Sequence, residues 1–280
     1  MYSSNSNGII ISANSDIGTE LSINFANKSM NIYGTYKTKS NNADRLLNSG
    51  VKLYKCDLND NKSIIDCCNK LKRVCSLWDF LILCTGTQEP IGPFKDCSFD
   101  EWENSVKVDF TGQMRIVREL LPIRNSENNL GPCVIFFAGG GTNNATLNYS
   151  AYTVSKIALI KMCELLDAEI NDTRFVIIGP GWIRTKIHQQ TIKAKTKAGD
   201  NFEKTRIKLL KNDFTPVEDV ISCCEWVLSQ PKKIISGRNL SVVFDLWGTE
   251  ELIKYLDEDL NMYKLRRYGN DLLISKGVKK

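Results

Sequence analysis

Short apolar runs that alternate with helical segments predict an α/β protein with a single doubly wound parallel sheet. The apolar runs are short, and the first is entirely β-branched and bounded by polar residues, as is typical of strands buried on both faces. Residues 9–11, 80–84 and 175–178 show this pattern most clearly. No linker, repeat or low-complexity stretch divides the 280 residues, of which 42% are hydrophobic. We therefore predict one domain over residues 1–280, with ample core.

Composition excludes several classes of function. The net charge is only +5 and the basic residues are scattered, so a nucleic-acid-binding surface is not expected. No stretch of about 18 apolar residues is present, and the N-terminus lacks the layout of a secretion signal, which predicts a cytoplasmic protein without a membrane span. The ten cysteines form no Cys-x-x-Cys motif and His188 is the only histidine, which favours reduced thiols over a metal site.

The expected elements follow one another along nearly the whole chain. Strands are predicted at residues 8–13, 30–36, 51–56, 80–84, 133–137, 175–178 and 237–245, and helices at 17–27, 63–74, 99–121, 150–166 and 216–228. Residues 186–214 interrupt the alternation after the sixth strand, with a helix predicted at 202–210. Because α/β sheets bind ligands above the carboxyl ends of their strands, we interpret this segment as a substrate lid. A C-terminal extension is predicted at residues 248–280.

The loop after the first strand is a candidate phosphate-binding turn. A strand, a tight loop and a helix follow in the order in which a dinucleotide pyrophosphate docks on a helix N-terminus. Only Gly18 remains of the usual three glycines, since Ser12 and Asp16 stand at the other two positions. Asp16 is a good helix N-cap, but its carboxylate repels phosphate unless it points away.

The second strand ends without the acidic residue that an NAD site uses to bind the ribose 2′-hydroxyl. Tyr36 and Lys37 follow instead. A cation at this place pairs with a 2′-phosphate, which favours NADP and leaves NAD possible. The alternative is a solvated basic turn.

Tyr152 and Lys156 form the candidate proton-transfer pair. Residues four apart in a helix lie on one face, so the phenol and the ammonium are expected side by side. A neighbouring cation lowers the pKa of a phenol from its usual value of about 10. The pair can then act as a general acid/base near neutral pH. The spacing alone also fits an ordinary amphipathic helix.

Taken together, the motifs resemble the short-chain dehydrogenase/reductase family over about residues 8–247. The resemblance rests on five features in the expected order: residues 12–18 after the first strand, Asp57 after the third, Thr85-Gly86 after the fourth, the Tyr152/Lys156 pair, and Pro180-Gly181 followed by Thr185. Residues 237–267 also resemble a branch of this family found among bacterial polysaccharide-biosynthesis proteins.

The resemblance implies a role for each matching residue. Tyr152 would protonate a carbonyl oxygen, while Lys156 would lower its pKa and hold the nicotinamide ribose. Asp57 would reach the adenine, and Ile183 and Thr185 would touch the carboxamide. The residues expected to bind the cofactor are Ser12, Asn14, Ser15, Asp16, Ile17, Gly18, Tyr36, Lys37, Asp57, Leu58, Cys84, Thr85, Gly86, Tyr152, Lys156, Pro180, Gly181, Ile183 and Thr185. The resemblance also implies a homodimer or homotetramer that pairs through residues 99–121 and 150–166.

Three positions depart from the family pattern. Gly139 stands where a substrate-binding Ser is usual, Asp109 replaces an Asn of the proton relay, and Cys84 replaces the Asn of the Asn-Ala-Gly motif. Losing one oxyanion donor lowers a rate by about 10²–10³. Either the nearest hydroxyl, Thr142, or the glycine-rich backbone supplies the donor, or the activity is weak or altered. We favour the first possibility, so Tyr152, Lys156, Thr142 and Asp109 are the candidate catalytic residues.

Three functions remain open. The leading one is NADP-dependent transfer of hydride between nicotinamide and a small-molecule carbonyl, with a keto-sugar as the favoured substrate. If the sugar is linked to a nucleotide, the basic lid residues Lys193, Lys195, Lys197, Lys204 and Arg206 could meet the nucleotide phosphates. A 3-ketoacyl-thioester reductase would use the same core, with the lid meeting an acyl carrier. A non-catalytic dinucleotide-binding sensor would explain the missing Ser and glycines, but would not need Tyr152.

Overall fold

A computed structural model describes residues 5–269 and shows one parallel sheet with helices on both faces. Seven strands lie in the order β3-β2-β1-β4-β5-β6-β7, so the predicted doubly wound sheet is confirmed. The strands are β1 (Asn7–Ile11), β2 (Asn31–Tyr36), β3 (Lys52–Lys55), β4 (Phe80–Leu83), β5 (Cys133–Phe137), β6 (Arg174–Gly179) and β7 (Arg238–Ser241).

Helices connect the strands and cover the two faces. They are α1 (Asp16–Asn27), α2 (Asn41–Asn48), α3 (Asn61–Val74), α4 (Phe99–Val106), α5 (Gly112–Leu120), α6 (Ser150–Glu169), α7 (Ile187–Ala194), α8 (Asp200–Lys211), α9 (Val217–Ser229), α10 (Lys232–Ile235) and α11 (Glu250–Glu258). Within residues 5–269 no helix is long and apolar enough to cross a bilayer.

The core lies in two layers, one on each face of the sheet. Successive strand side chains point to opposite faces, so Ile10 joins one apolar cluster while Ile9 and Ile11 join the other. All three are at most 1% exposed. Burial on both faces explains why the sequences of the central strands β4 and β5 are uninterrupted apolar runs rather than alternating ones.

The strand order reverses direction at β1, which pairs with β2 on one side and β4 on the other. The loops after β1 and β4 therefore meet at the carboxyl edge of the sheet. The hydroxyls of Ser12 and Thr85, one from each loop, are 2.9 Å apart. Ligands of open α/β sheets bind in the crevice at such a switch point.

The segment predicted as one helix over residues 99–121 is interrupted. α4 and α5 are joined by a π-helical stretch, Lys107–Thr111, that contains Asp109. A single π-helical turn inserted in an α-helix is common at functional sites. The nearly continuous backbone explains why the sequence pattern reads as one helix.

The lid contains more helix than predicted, because α7 and α8 together cover most of residues 187–211. β7 is shorter than the predicted 237–245, since the chain turns away after Ser241. Arg238 from β7 donates to three backbone carbonyls of the extension, in the last turn of α11 and just after it: Leu256 at 2.6 Å, Asp259 at 3.0 Å and Met262 at 2.6 Å. The part of the predicted extension after residue 269 lies outside the described residues.

Candidate active site

α6 carries Tyr152 and Lys156 to the carboxyl edge of the sheet. The Lys156 ammonium donates to the carbonyls of Thr85 and Phe137, each at 3.0 Å. Its Nζ lies 5.7 Å from the centre of the Tyr152 ring. The two side chains therefore face the same region, as the helical spacing predicts, and the lysine is fixed by the loop after β4 and by the last residue of β5.

The sequence predicted that the pKa of Tyr152 is lowered, but in the structure this pKa is raised. Burial is the main cause, and the negative charge of Asp109 adds to it. The Lys156 ammonium points toward two carbonyls rather than toward the phenol oxygen, so it does not offset these effects. Burial in turn lowers the pKa of Lys156, while Asp109 opposes that change. In this state the phenol keeps its proton at neutral pH.

Gly139 provides the space that the Tyr152 hydroxyl occupies. A Cβ atom built on Gly139 would lie 2.3 Å from the hydroxyl oxygen and 2.6 Å from ring carbons of Tyr152. The position where the family pattern has a Ser is thus filled by the phenol. In this conformation no larger residue fits there unless Tyr152 moves.

Asp109 is a fully buried carboxyl group beside the Tyr152/Lys156 pair. Its Oδ1 accepts the backbone N–H of Thr87 at 2.9 Å, while its buried Oδ2 has no hydrogen-bond partner. Burial raises the pKa of Asp109 to about 6, although Lys156 and the Thr87 N–H act in the opposite direction. This residue can therefore titrate close to neutral pH.

Thr142, the predicted replacement donor, is half-buried in the loop between β5 and α6. The same loop contains Gly141 with a φ of +101°, a conformation that side chains rarely adopt. A Cβ atom on Gly141 would lie 2.5 Å from the Thr153 methyl group, and the Thr153 hydroxyl is buried without a partner. The group found against the Tyr152 hydroxyl is Gly139, so the role of Thr142 stays a prediction.

The turn after β1 has the geometry of a phosphate-binding loop despite its missing glycines. Ser12 adopts a φ of +55°, the left-handed conformation for which glycine is usual. The Ser15 hydroxyl accepts the Gly18 N–H at 3.1 Å and so caps α1. A Cβ on Gly18 would lie 2.6 Å from the Ser12 carbonyl oxygen, which explains why this glycine remains. Ile17 packs against the core below.

Asp16 does not cap α1 as predicted; it is the first residue of that helix and Ser15 is the cap. The Asp16 carboxylate reaches across to the lid instead. Its Oδ2 accepts the backbone N–H of Lys186 at 2.6 Å.

Lys37 and Asp57 lie together at the end of the expected cofactor site that would hold the adenine and its ribose phosphate. The Lys37 ammonium lies 3.2 Å from the Asp57 carboxylate, and its side chain is 64% exposed. Asn14 donates to the Thr38 carbonyl at 2.8 Å, which holds the turn after β2 against the phosphate loop. Tyr36 ends β2 next to this pair, and the adjoining Leu58 is buried in the core.

The loops after β4 and β6 line the other end of the expected cofactor site, where the nicotinamide would lie. A Cβ on Gly86 would lie 3.7 Å from the Lys156 ammonium and 3.6 Å from Ile187 at the start of α7. Gly181 has a φ of +77° after Pro180, where the chain turns toward Ile183 and Thr185. The Ile183 carbonyl accepts from the His188 ring at 2.8 Å, and Cys84 packs against the core at the end of β4.

The sequence did not reveal a set of contacts between the lid and the loop after β4. Gln190 accepts the Gln88 N–H at 2.7 Å, and Thr191 donates to the Gln88 side chain at 3.0 Å. Thr191 also shares a hydrogen bond of 2.8 Å with the hydroxyl of Tyr149. Glutamine and threonine in a polar insertion give no signal that would separate them from solvated residues.

Apolar side chains surround one side of Tyr152. Ile91, Tyr149 and Ala198 form a small buried cluster against which Tyr152 and the lid residues Ala194 and Phe202 pack. Next to it, an open cavity of about 530 Å³ in the lid is lined by Ile192, Lys195, Thr196, Gly199 and Phe202. Within residues 5–269, no three His, Cys, Asp or Glu side chains are grouped as metal ligands.

Comparisons with known proteins agree with the fold and show the family. The family model described as "Enoyl-(Acyl carrier protein) reductase" matches residues 11–243. The 3-oxoacyl-[acyl-carrier-protein] reductase FabG of Buchnera aphidicola is 24% identical over 246 residues, which cover 84% of this chain and 94% of the relative.

Solved structures share the fold at low identity. A variant of actinorhodin polyketide ketoreductase with NADPH superimposes with a TM-score of 0.75 at 14% identity, covering 88% of this chain and 98% of the other. A short chain dehydrogenase from Shigella flexneri complexed with NADP gives a TM-score of 0.71 at 14% identity, covering 86% and 98%.

A doubly wound sheet with a Tyr/Lys pair beside its switch point defines a class of nucleotide-dependent oxidoreductases. The family model that matches residues 11–243 extends over most of the sequence. The chain belongs to the short-chain dehydrogenase/reductase family.

Proposed function

We propose that this enzyme reduces a small-molecule carbonyl with NADP as cofactor and Tyr152 as the proton donor. One observation carries the proposal: a phenol that keeps its proton lies beside an ammonium fixed at the switch point of the sheet. A protonated phenol is the form required for reduction, because the developing alkoxide must receive a proton.

The residues around the switch point fit a dinucleotide. A lysine ammonium has three N–H donors, and Lys156 uses two of them on backbone carbonyls, which leaves one for a ribose hydroxyl. The turn at residues 12–18 would hold the pyrophosphate at the N-terminus of α1. A bound nicotinamide would supply the hydride that reaches the carbonyl carbon.

The protein's own groups handle the proton. As the carbonyl oxygen gains negative charge, Tyr152 transfers its phenolic proton to that oxygen and becomes a phenolate. The Lys156 ammonium stabilises the phenolate by its charge, and solvent protons then restore the phenol. The buried Asp109 carboxylate beside them acts to raise the pKa of both groups.

The lining of the site favours an apolar carbonyl substrate over a keto-sugar. The side of Tyr152 that faces the lid is covered by Ile91, Tyr149, Ala198 and Phe202, and such surfaces bind alkyl or aryl groups better than hydroxyls. The names of two similar proteins, a 3-oxoacyl reductase and a polyketide ketoreductase, support the same choice. We therefore place a 3-ketoacyl thioester first and a keto-sugar second.

The proposed preference for NADP rests on Lys37. Its ion pair with Asp57 is exposed, so it is weak and the lysine can turn to a 2′-phosphate. We expect Lys37→Ala to weaken NADPH binding about tenfold and NADH binding little, because about 1.4 kcal/mol of charge pairing is lost. Titration of tryptophan fluorescence with each cofactor measures this. Equal weakening of both cofactors would contradict the preference.

The proposed acid is tested with Tyr152→Phe. This variant should bind NADPH as the wild type does and lose at least about 10²-fold in turnover, since general acid catalysis contributes about 10²–10⁴. NADPH absorbance is followed against 3-ketoacyl thioesters and keto-sugars. Turnover that survives in Tyr152→Phe would disprove the assignment. NADPH binding without turnover of any carbonyl by the wild type would favour the non-catalytic sensor.

We further propose a homo-oligomer that pairs through α4, α5 and α6, and a cytoplasmic location. Family membership supports the first proposal. The second is supported by the ten free cysteines, eight of them buried, since such thiols persist in a reducing compartment.

A further inference from the structure

We propose that the Asp16 carboxylate is an internal latch that ties the phosphate-binding turn to the lid and competes with the cofactor pyrophosphate for the same place. The inference rests on the proposed dinucleotide site, but the latch itself is a property of the protein without cofactor.

The contact joins two distant parts of the chain. The Asp16 Oδ2 accepts the Lys186 N–H at 2.6 Å although the two residues are 170 positions apart in sequence. Asp16 is the first residue of α1, and Lys186 is the residue immediately before α7. The carboxylate thus lies at the N-terminal ends of two helices, where N–H groups and the helix dipoles favour an anion. The Asp16 carboxylate thus occupies a place where the surrounding N–H groups and helix dipoles would also favour a phosphate.

A pyrophosphate at this turn would meet the carboxylate. The fold places the pyrophosphate at the N-terminus of the helix after β1, which is α1. The family pattern has a glycine at position 16, so the backbone can approach the phosphates there without an opposing charge. With Asp16, the cofactor must displace the carboxylate from Lys186, and its affinity is lowered by the free energy of that contact.

Other contacts hold the same lid helix against the site. Ile187 packs against Gly86 beside Lys156, and Gln190 accepts the Gln88 N–H at 2.7 Å. These contacts are neutral or apolar. Asp16 supplies the charged contact at the end of α7 that faces the phosphate loop.

Three variants separate the latch from a general change in charge. Asp16→Asn keeps the side-chain shape and removes the charge, and Asp16→Gly removes the side chain and restores the family residue. Asp44→Asn removes one negative charge in the neighbouring α2, outside the latch, and is the matched control. The melting temperature of each variant shows that it folds.

The first test uses no cofactor. Hydrogen–deuterium exchange of a peptide that contains residues 184–194, with trypsin cleavage after Lys193 and Lys195 as a second measurement, reports whether the lid is held down. Asp16→Gly should exchange and be cleaved about tenfold faster than the wild type and Asp44→Asn, because it loses a charge-assisted hydrogen bond. Asp16→Asn should lie in between, because its amide oxygen can still accept the Lys186 N–H without the charge. Equal rates in all four proteins would overturn the latch.

The second test is NADPH binding followed by tryptophan fluorescence. Asp16→Gly should bind about tenfold more tightly than the wild type and Asp44→Asn, with Asp16→Asn in between. Weaker or unchanged binding in Asp16→Gly would overturn the competition. If none of the proteins binds NADPH or NADH, the proposed cofactor function fails, whereas the exchange measurement still decides whether the latch exists.

Discussion

At the scale of single residues, Gly139 determines where the proton donor lies. Because a Cβ at this position would lie 2.3 Å from the Tyr152 hydroxyl, the phenol and a serine cannot share the space. The observed position of Tyr152 therefore requires a glycine, and not a serine, at position 139.

Restoring the serine should harm this protein rather than improve it. Gly139→Ser is expected to displace Tyr152, lower turnover about tenfold or more, and reduce the free energy of unfolding by about 1–3 kcal/mol through overpacking. Enzyme assays and urea denaturation measure both effects.

Gly140→Ser is the matched control, because the nearest atom to a Cβ at Gly140 is the Thr146 hydroxyl at 3.9 Å. It should leave stability within about 0.5 kcal/mol of the wild type. A Gly139→Ser protein that is more active than the wild type would show that Tyr152 moves to a better position without cost.

The buried carboxyl of Asp109 should make stability depend on pH. Its pKa in the folded protein is raised to about 6, so the folded state binds the proton more tightly than the unfolded state. The contribution of Asp109 to stability is therefore fully present below its pKa in the unfolded chain and is lost as pH rises through about 6. Asp109→Asn should raise the free energy of unfolding at pH 8 by about 3 kcal/mol, and less at pH 5.

Urea denaturation of both proteins between pH 5 and 8 tests this expectation. A difference in stability that stays constant with pH would mean that Asp109 does not titrate in this range. A variant less stable than the wild type at pH 8 would mean that the attraction between Asp109 and Lys156 outweighs the burial of the charge.

Sequence alone could predict which residues of the site are near each other, but not their ionisation. The four-residue spacing places Tyr152 and Lys156 on one face of α6. The direction of the Tyr152 pKa shift depends on burial and on Asp109, which lies more than forty positions away in the chain. The Asp16 contact with Lys186 likewise depends on how the lid folds back.

At the scale of elements, buried arginines fix the ends of helices. Arg174 at the start of β6 is fully buried and donates to the carbonyls of Leu228 at 3.0 Å and Gln230 at 2.7 Å, at the C-terminal end of α9. It also donates to the Gly131 carbonyl at 2.8 Å. The Leu228 and Gln230 carbonyls lie at the end of α9, where no later turn of that helix supplies an N–H, so the guanidinium replaces the missing bonds.

Arg174→Met should therefore lower the free energy of unfolding by about 2–4 kcal/mol, because several buried carbonyls lose their donors. Thermal or urea denaturation measures the loss. Arg124→Met is the control, since Arg124 makes a partly exposed pair with Asp172 and its loss should cost about 1 kcal/mol or less. Equal losses in the two variants would contradict the capping role.

Element types were easier to predict than element limits. The apolar strands and the helix α6 carry strong patterns, and the structure has them within a few residues of the predicted bounds. α2 was missed because Asn41–Asn48 is polar with few apolar positions. The break before α5 was missed because a π-helical turn keeps helical side-chain spacing almost unchanged.

At the scale of the whole molecule, strand order places the site. Helix–strand alternation predicts a parallel sheet, and right-handed crossovers then place the ligand crevice where β1 separates β2 from β4. The position of the lid could not be obtained in this way, because its contacts with Asp16, Gln88 and Tyr149 are made by side chains without a sequence pattern.

The central position of β1 also governs the order of events during synthesis. β2 follows β1 closely and covers one of its edges, but the other edge pairs with Phe80–Leu83, which leaves the ribosome much later. Until then the nascent chain exposes an isoleucine-rich strand with unpaired backbone groups, the kind of surface that aggregates. The remaining strands are then added outward in chain order, so each new apolar edge stays open until the next strand covers it and the more polar β7 forms the final edge.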